Sequence, residues 1–122
     1  MKKDEEDAVP ILAGPWSSDQ EGYGYAKPAT IFNGGDVLGR IRDIHWSSWG
    51  GARAVGHGIA PYVAPSHRAS IEAQPEPAKI VAFHLGYCHS RRAYDAVEWY
   101  FPEHGGHFNL RQYINACTGN YE

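Results

Sequence analysis

Apolar and polar residues alternate most cleanly in two segments late in the chain. In Ala78 to Tyr87, Val81, Phe83 and Leu85 fall on one face of an extended strand, with Ile80, Ala82 and His84 on the other. In Tyr94 to Phe101, Val97, Trp99 and Phe101 oppose Tyr94, Ala96, Glu98 and Tyr100. With His89-Ser90-Arg91-Arg92 between them, the two segments read as a hairpin. A second hairpin is predicted upstream, where Asn33-Gly34-Gly35-Asp36 separates Ala29 to Phe32 from Leu38 to Trp46. Asn-Gly accepts positive φ at little cost and is a strong turn signal. In Leu38 to Trp46 the expected faces are Leu38, Arg40, Arg42, Ile44 and Trp46 against Ile41, Asp43 and His45, an imperfect alternation that suits a sheet covered on both sides. Arg53 to Val63 is expected to be a strand, Arg68 to Ala73 a weaker one, and Gln74-Pro75-Glu76-Pro77 a turn.

The period changes after Gly105-Gly106. Leu110, Tyr113, Ile114 and Cys117 match the spacing i, i+3, i+4, i+7, with Asn109 placed as an N-cap, Gln112 at the capping-box position and Gly119 as a stop. This predicts a short helix that must dock on the sheet, because two turns are unstable alone. The expected fold is mainly β: a small antiparallel β-sandwich or open barrel with one short C-terminal helix. Residues 1–10 are expected to form a disordered acidic tail and residues 11–122 a single β-rich domain.

Between the two hairpins lies His45 to Gly58, HWSSWGGARAVGHG. Trp46 and Trp49, three apart, share a face only if Ser47 and Ser48 turn the chain between them. One reading buries both indoles, each contributing roughly 200 Å², with the glycines permitting a bend. The other makes them a stacking platform for a sugar ring or another flat ligand. The pattern carried by Ile41, Trp46, Trp49, Gly50, Ala54, Gly56 and Gly58 resembles that of small secreted actinobacterial proteins of unknown function, over about Ala29 to Tyr100. Those relatives commonly carry a cysteine pair in the loop after the last glycine, and here that loop, Ala60 to Ser70, has none. The resemblance implies a secreted location and a fold rather than an activity.

Charge removes some functions. The formal net charge is −3, of which Met1 to Asp7 accounts for two lysines and four acids, so no basic field for nucleic acid or anionic lipid remains. Arg40 with Arg42, and Arg91-Arg92, are short pairs that read as solvated surface. No apolar run reaches the roughly 18 residues of a membrane span, so no membrane insertion is expected. Met1-Lys2-Lys3 leads into acids and shows no signal core, so the expectation is a mature secreted or extracytoplasmic chain, with a virion-associated or cytoplasmic protein as the alternative. Hydrophobic residues make up 43%, and Gly 14, Pro 8 and Tyr 8 tilt the chain towards strands and turns.

Candidate chemistry is sparse. A Cys88 to Cys117 disulfide would anchor the C-terminal segment and suit an oxidising compartment, and two buried free thiols are the other reading. His104 and His107 in HGGH, with His84 or His89, form the best metal candidate, against a glycine turn bearing surface histidines. Cys88 beside His89 would point to opposite faces of a strand, so no nucleophile and base are expected there. Glu98 and Glu103 with Asp95 offer carboxylates for glycoside hydrolysis, as any β-protein would. No phosphate loop, nucleophile elbow or zinc-protease motif is present, and no cofactor is expected. The sequence therefore points to a non-enzymatic binding domain for an unknown small ligand, glycan or protein, with Trp16, Tyr23, Tyr25, Trp49 and Tyr62 as its aromatic surface. A structural or assembly protein, and then a cell-wall or polysaccharide hydrolase, are the alternatives.

Overall fold

A computed structural model describes residues 9–35, 37–63 and 73–119. Its strands are β1 (Ile11–Leu12), β2 (Ile31–Phe32), β3 (Arg40–Trp46), β4 (Ala54–Tyr62), β5 (Gln74–Cys88), β6 (Arg91–Tyr100) and β7 (Ile114–Asn115), with short 3-10 turns at Val37–Gly39 and Pro102–His104. They form one sheet in the order β1-β6-β5-β4-β3-β2, with β7 also beside β6. Every pairing is antiparallel except that of β1 with β6. The sheet curls into an open half-barrel, so the mainly β expectation holds.

Both predicted hairpins are present. Between β5 and β6 the turn is His89-Ser90, with φ of 50° and 69°, the paired positive angles of a tight primed turn whose twist matches the strands. Between β2 and β3, Gly34 and Gly35 hold φ of 90° and 80°.

Three expectations need correction. Gln74 to Pro77 is not a turn but the start of β5, pairing with Tyr62 to Ile59 of β4. β6 ends opposite Lys79, so Pro75 and Pro77 lie beyond it, where a missing N–H removes no ladder bond on that edge. The strand expected over Arg68 to Ala73 lies almost wholly outside the described residues, as does most of the N-terminal tail.

The C-terminal helix is also absent. After a turn at Leu110 to Gln112, Ile114 and Asn115 pair with Val97 and Ala96 of β6. Asn109 caps a turn rather than a helix, its Oδ1 accepting the Arg111 N–H at 2.9 Å. Tyr113 and Ile114 go to opposite sides of the sheet, as neighbours on a strand do: Ile114 joins the main core, and Tyr113 joins a second cluster on the outer face.

The third correction concerns β3. Ile41 and Ile44 are both buried although three residues apart, because Arg42 pairs with Ile59 while His45 pairs with His57. Three steps on β3 therefore oppose two on β4, a β-bulge with Asp43 at φ 53°. The bulge turns Ile44 inward and His45 outward, reversing the faces expected from strict alternation. In β5, His84 at φ 55° breaks the pleat in a similar way: Val81 and Phe83 face the outer cluster, and Leu85 packs against the main core.

The main core lies inside the curl and includes Leu12, Ile31, Ile41, Ile80, Tyr94 and Val97, each fully buried. The outer cluster of Val81, Phe83 and Ala96 is covered by Phe108 and Tyr113 from the C-terminal segment and by Tyr100. Phe83 meets Phe108 and Tyr113 edge-on at 5.0 and 5.2 Å. That segment is held by a disulfide between Cys88 and Cys117, whose Cα atoms are 5.7 Å apart.

Candidate functional site

The Trp-Ser-Ser-Trp-Gly-Gly corner is a packing unit. Ser47 turns the chain by donating its N–H to the Val55 carbonyl at 2.8 Å, and Ser48 Oγ accepts the Val55 N–H. This folds Trp49 edge-on against Trp46 (4.7 Å between ring centres) and against Tyr94 (5.1 Å). Both indoles pack on the main core and have their N–H groups satisfied, Trp46 by the Pro28 carbonyl and Trp49 by the Pro10 carbonyl, each at 2.8 Å. Tyr94 ties the glycines down, its hydroxyl accepting the Gly50 N–H and donating to the Gly51 carbonyl. Gly56 and Gly58 let β3 pass close over β4: a Cβ at Gly58 would stand 2.6 Å from the Arg42 carbonyl oxygen.

The five aromatics expected to form a ligand surface fall into separate clusters. Tyr23 is 2% exposed and presents no surface; its hydroxyl donates to Asn33 Oδ1 and its ring lies 4.7 Å from that of Trp16. Trp16 and Trp49 are half-buried against the core. Tyr62, at the far end of β4, stacks on His104 at 3.8 Å and meets Phe101 edge-on. Tyr25 alone stands out, 69% exposed beside an open groove with Gln20, Glu21, His89 and Arg91.

The two histidines of HGGH do not converge. His104 belongs to the Tyr62 stack and approaches Glu76 at 3.4 Å, whereas His107 lines a different groove beside Glu98. Among the described residues, the one group of three close metal-ligand types is Cys88, His89 and Cys117, and its two sulfurs are bonded to each other.

One concavity follows from the topology. A curled sheet that does not close has two facing edges, here β2 on one side and β1 and β7, laid along β6, on the other. Trp16 packs over Gly119 and Tyr23 along this seam. Next to it a groove of about 510 Å³ is lined by Asn33, Leu38 and Gly39 on one side and by Glu98 to Tyr100, His107, Asn109 and Gln112 to Ile114 on the other. That volume lies within the range of small-molecule sites.

Glu98 is the group in this groove with unusual chemistry. Its Oε2 accepts the Asn109 N–H at 2.7 Å, while its Oε1 is buried without a partner. Burial pushes its carboxyl above the ordinary glutamate value, an effect opposed by the Asn109 N–H and then by His107. Asp95 is raised in the same way by burial, opposed by His84, and its Oδ1 is likewise buried and unpartnered. The two carboxyls thus have separate neighbours, and Glu103 lies on the exposed turn at Pro102–His104. Amides surround Glu98: Asn109 Nδ2 donates to Gln112 Oε1 at 3.2 Å, and Asn33 faces them across the seam.

Sequence reasoning placed Glu98 on a face with Ala96 and Tyr100 but did not link it to Asn33 or Gln112. The usable signal was a lone acid on an otherwise apolar strand face, since such a carboxylate needs a nearby donor. No helix among the described residues is long and apolar enough to cross a membrane. No family model, curated protein or solved structure matches this chain.

Proposed function

We propose that this chain is a secreted or surface-associated, non-enzymatic binding domain whose site is the seam groove beside Glu98. The carrying observation is the groove itself: a small-molecule-sized cleft that combines Trp99 and Tyr113 with the amides of Asn33, Asn109 and Gln112 and one desolvated carboxyl. That mixture suits a neutral, hydroxyl-rich ligand of sugar-ring type, which needs flat apolar contact and convergent donors and acceptors. The Cys88 to Cys117 bridge fits an oxidising compartment, and the tryptophan and glycine pattern around Trp46 to Gly58 resembles that of small secreted actinobacterial proteins.

The test is titration of isotope-labelled protein with a panel of mono- and disaccharides, read by amide and indole shifts. A binding sugar should move Trp99, Gln112 and Asn33 together, and Gln112→Ala should weaken it about three- to tenfold, the loss of one hydrogen bond from an exposed side chain. Shifts confined to Tyr25 and its neighbours would place the site elsewhere, and no shifts at millimolar sugar would end the sugar reading.

A second reading, assembly with other subunits, rests on Tyr25 and Tyr87, 69% and 68% exposed. Light scattering decides it: a stable oligomer that Tyr87→Ala dissociates would favour assembly over ligand binding.

A further inference from the structure

The β-bulge in β3 has an effect on the outer face of the sheet, away from the seam groove. By turning Ile44 into the core, it aims His45 outward, directly opposite His57 on β4. Side chains so paired have Cβ atoms about 5 Å apart. The two imidazoles lie face to face, 5.5 Å between ring centres and 28° between planes, and both residues are exposed. Among the described residues, no ion pair or side-chain hydrogen bond ties either ring.

We propose that His45 and His57 form a two-imidazole site for a divalent first-row transition ion, with Cu2+ bound more tightly than Zn2+. Coordination chemistry and the placement of the two rings support this. Imidazole nitrogen is the preferred protein donor for these ions, and the affinity order at such donors places copper first. The two residues are cross-strand partners in the β3 to β4 ladder, His45 just after the bulge, so binding of one ring keeps the other close by. Both rings are exposed and need no buried partner broken. Water completes the coordination sphere from the open face.

Nearby charges modulate the site in a way that can be tested. His57 is paired on its other side with Lys79 of β5, a cation that opposes a bound metal ion. Arg42 and Asp43, at the bulge, neutralise one another at 2.5 Å. Both imidazoles bind the ion through an unprotonated nitrogen.

The experiment is calorimetric titration of the full chain with CuCl2 and with ZnCl2 at neutral pH, paired with electron paramagnetic resonance of the copper form. One Cu2+ per chain, with a spectrum showing two equatorial nitrogens, is expected. Two imidazoles on one rigid sheet act as a chelate, so His45→Gln or His57→Gln should each weaken binding on the order of 100-fold. Lys79→Gln should tighten it about two- to fivefold, as removal of one exposed like charge does. His104→Gln and His107→Gln should leave the titration unchanged. The proposal is overturned if either single variant at His45 or His57 binds Cu2+ as wild type does, if the spectrum shows one nitrogen, or if no saturation is reached at millimolar ion. Thermal melts of each variant guard against loss through unfolding, which exposed positions should not cause.

Discussion

Removing the bridge tests whether the C-terminal segment and the core are one cooperative unit. Cys88 and Cys117 are 29 residues apart in sequence, and Cys88 is 6% exposed at the end of β5. In the chain-entropy model, opening a loop of that length destabilises the protein by about 3.6 kcal/mol at 25 °C. For a chain of 122 residues, unfolding entropy of about 2.1 cal/mol/K per residue converts this into a fall of about 14 °C in the melting midpoint. The paired variant Cys88→Ala/Cys117→Ala is the right perturbation, since it leaves no buried lone thiol. Without the bridge the segment is still held by Phe108 and Tyr113 on the outer cluster, by Ile114 and Ala116 in the main core, by the two-residue pairing of β7 with β6 and by the Ala116 N–H, which donates to the Asp95 carbonyl at 2.8 Å. Scanning calorimetry, with two-state behaviour checked against the calorimetric enthalpy, reads the shift. A single transition lowered by 10 °C or more is expected. A midpoint within about 3 °C of wild type, together with rapid amide exchange confined to residues 105–119, would refute the reasoning, because the segment would then open alone while the half-barrel stayed folded.

Three further outcomes follow from the geometry. Tyr94→Phe strands the Gly50 N–H and the Gly51 carbonyl at the Trp49 corner and should cost about 1–2 kcal/mol in urea unfolding; a change below about 0.3 kcal/mol would mean water replaces the hydroxyl freely. Gly58→Ala puts a methyl 2.6 Å from the Arg42 carbonyl oxygen, near Ile41 and Ile44 side chains, and should destabilise by about 1–3 kcal/mol through overpacking, whereas Gly51→Ala, which meets nothing, should stay within about 0.5 kcal/mol. Glu98 has a raised folded-state value, so its contribution is fully present below the ordinary 4.5 and lost as pH rises through the raised value. Glu98→Gln keeps an acceptor for the Asn109 N–H and should flatten the fall in melting midpoint above pH 4.5; an unchanged slope would contradict the desolvation argument.

The hairpins were legible because their signals are local: alternation in β5 and β6, a short polar connection at His89-Ser90, and Asn-Gly before β3. The bulge at Asp43 was not, because nothing in Arg-Ile-Arg-Asp-Ile-His marks which residue is extra. Only the need to bury Ile41 and Ile44 together decides it, and that is a property of the whole sheet. The expected helix failed for a related reason. Tyr113, Ile114 and Cys117 are apolar because they meet the outer cluster, the main core and Cys88 respectively, while Leu110 is 50% exposed. Three different neighbours produced a spacing that resembles one helical face. The seam groove draws on residues from Asn33 to Ile114, so no window of sequence contains it.

The parallel pairing of β1 with β6 also sets an order of events in folding. The β5 to β6 hairpin closes through two residues and can form early, and β4 then adds to its neighbour in the sheet. β1 pairs only once Ala93 and Tyr94 are in place, because among the described residues its ladder partner is β6, far along the chain. Two ladder residues hold β1 to the sheet, and backbone bonds from Leu12 to Tyr25 and Gly24 hold it to the loop that follows. Pro10, immediately before β1, accepts the Trp49 indole N–H, so each departure of β1 frees that indole. The emission of Trp49 therefore reports whether the chain entering β1 is docked.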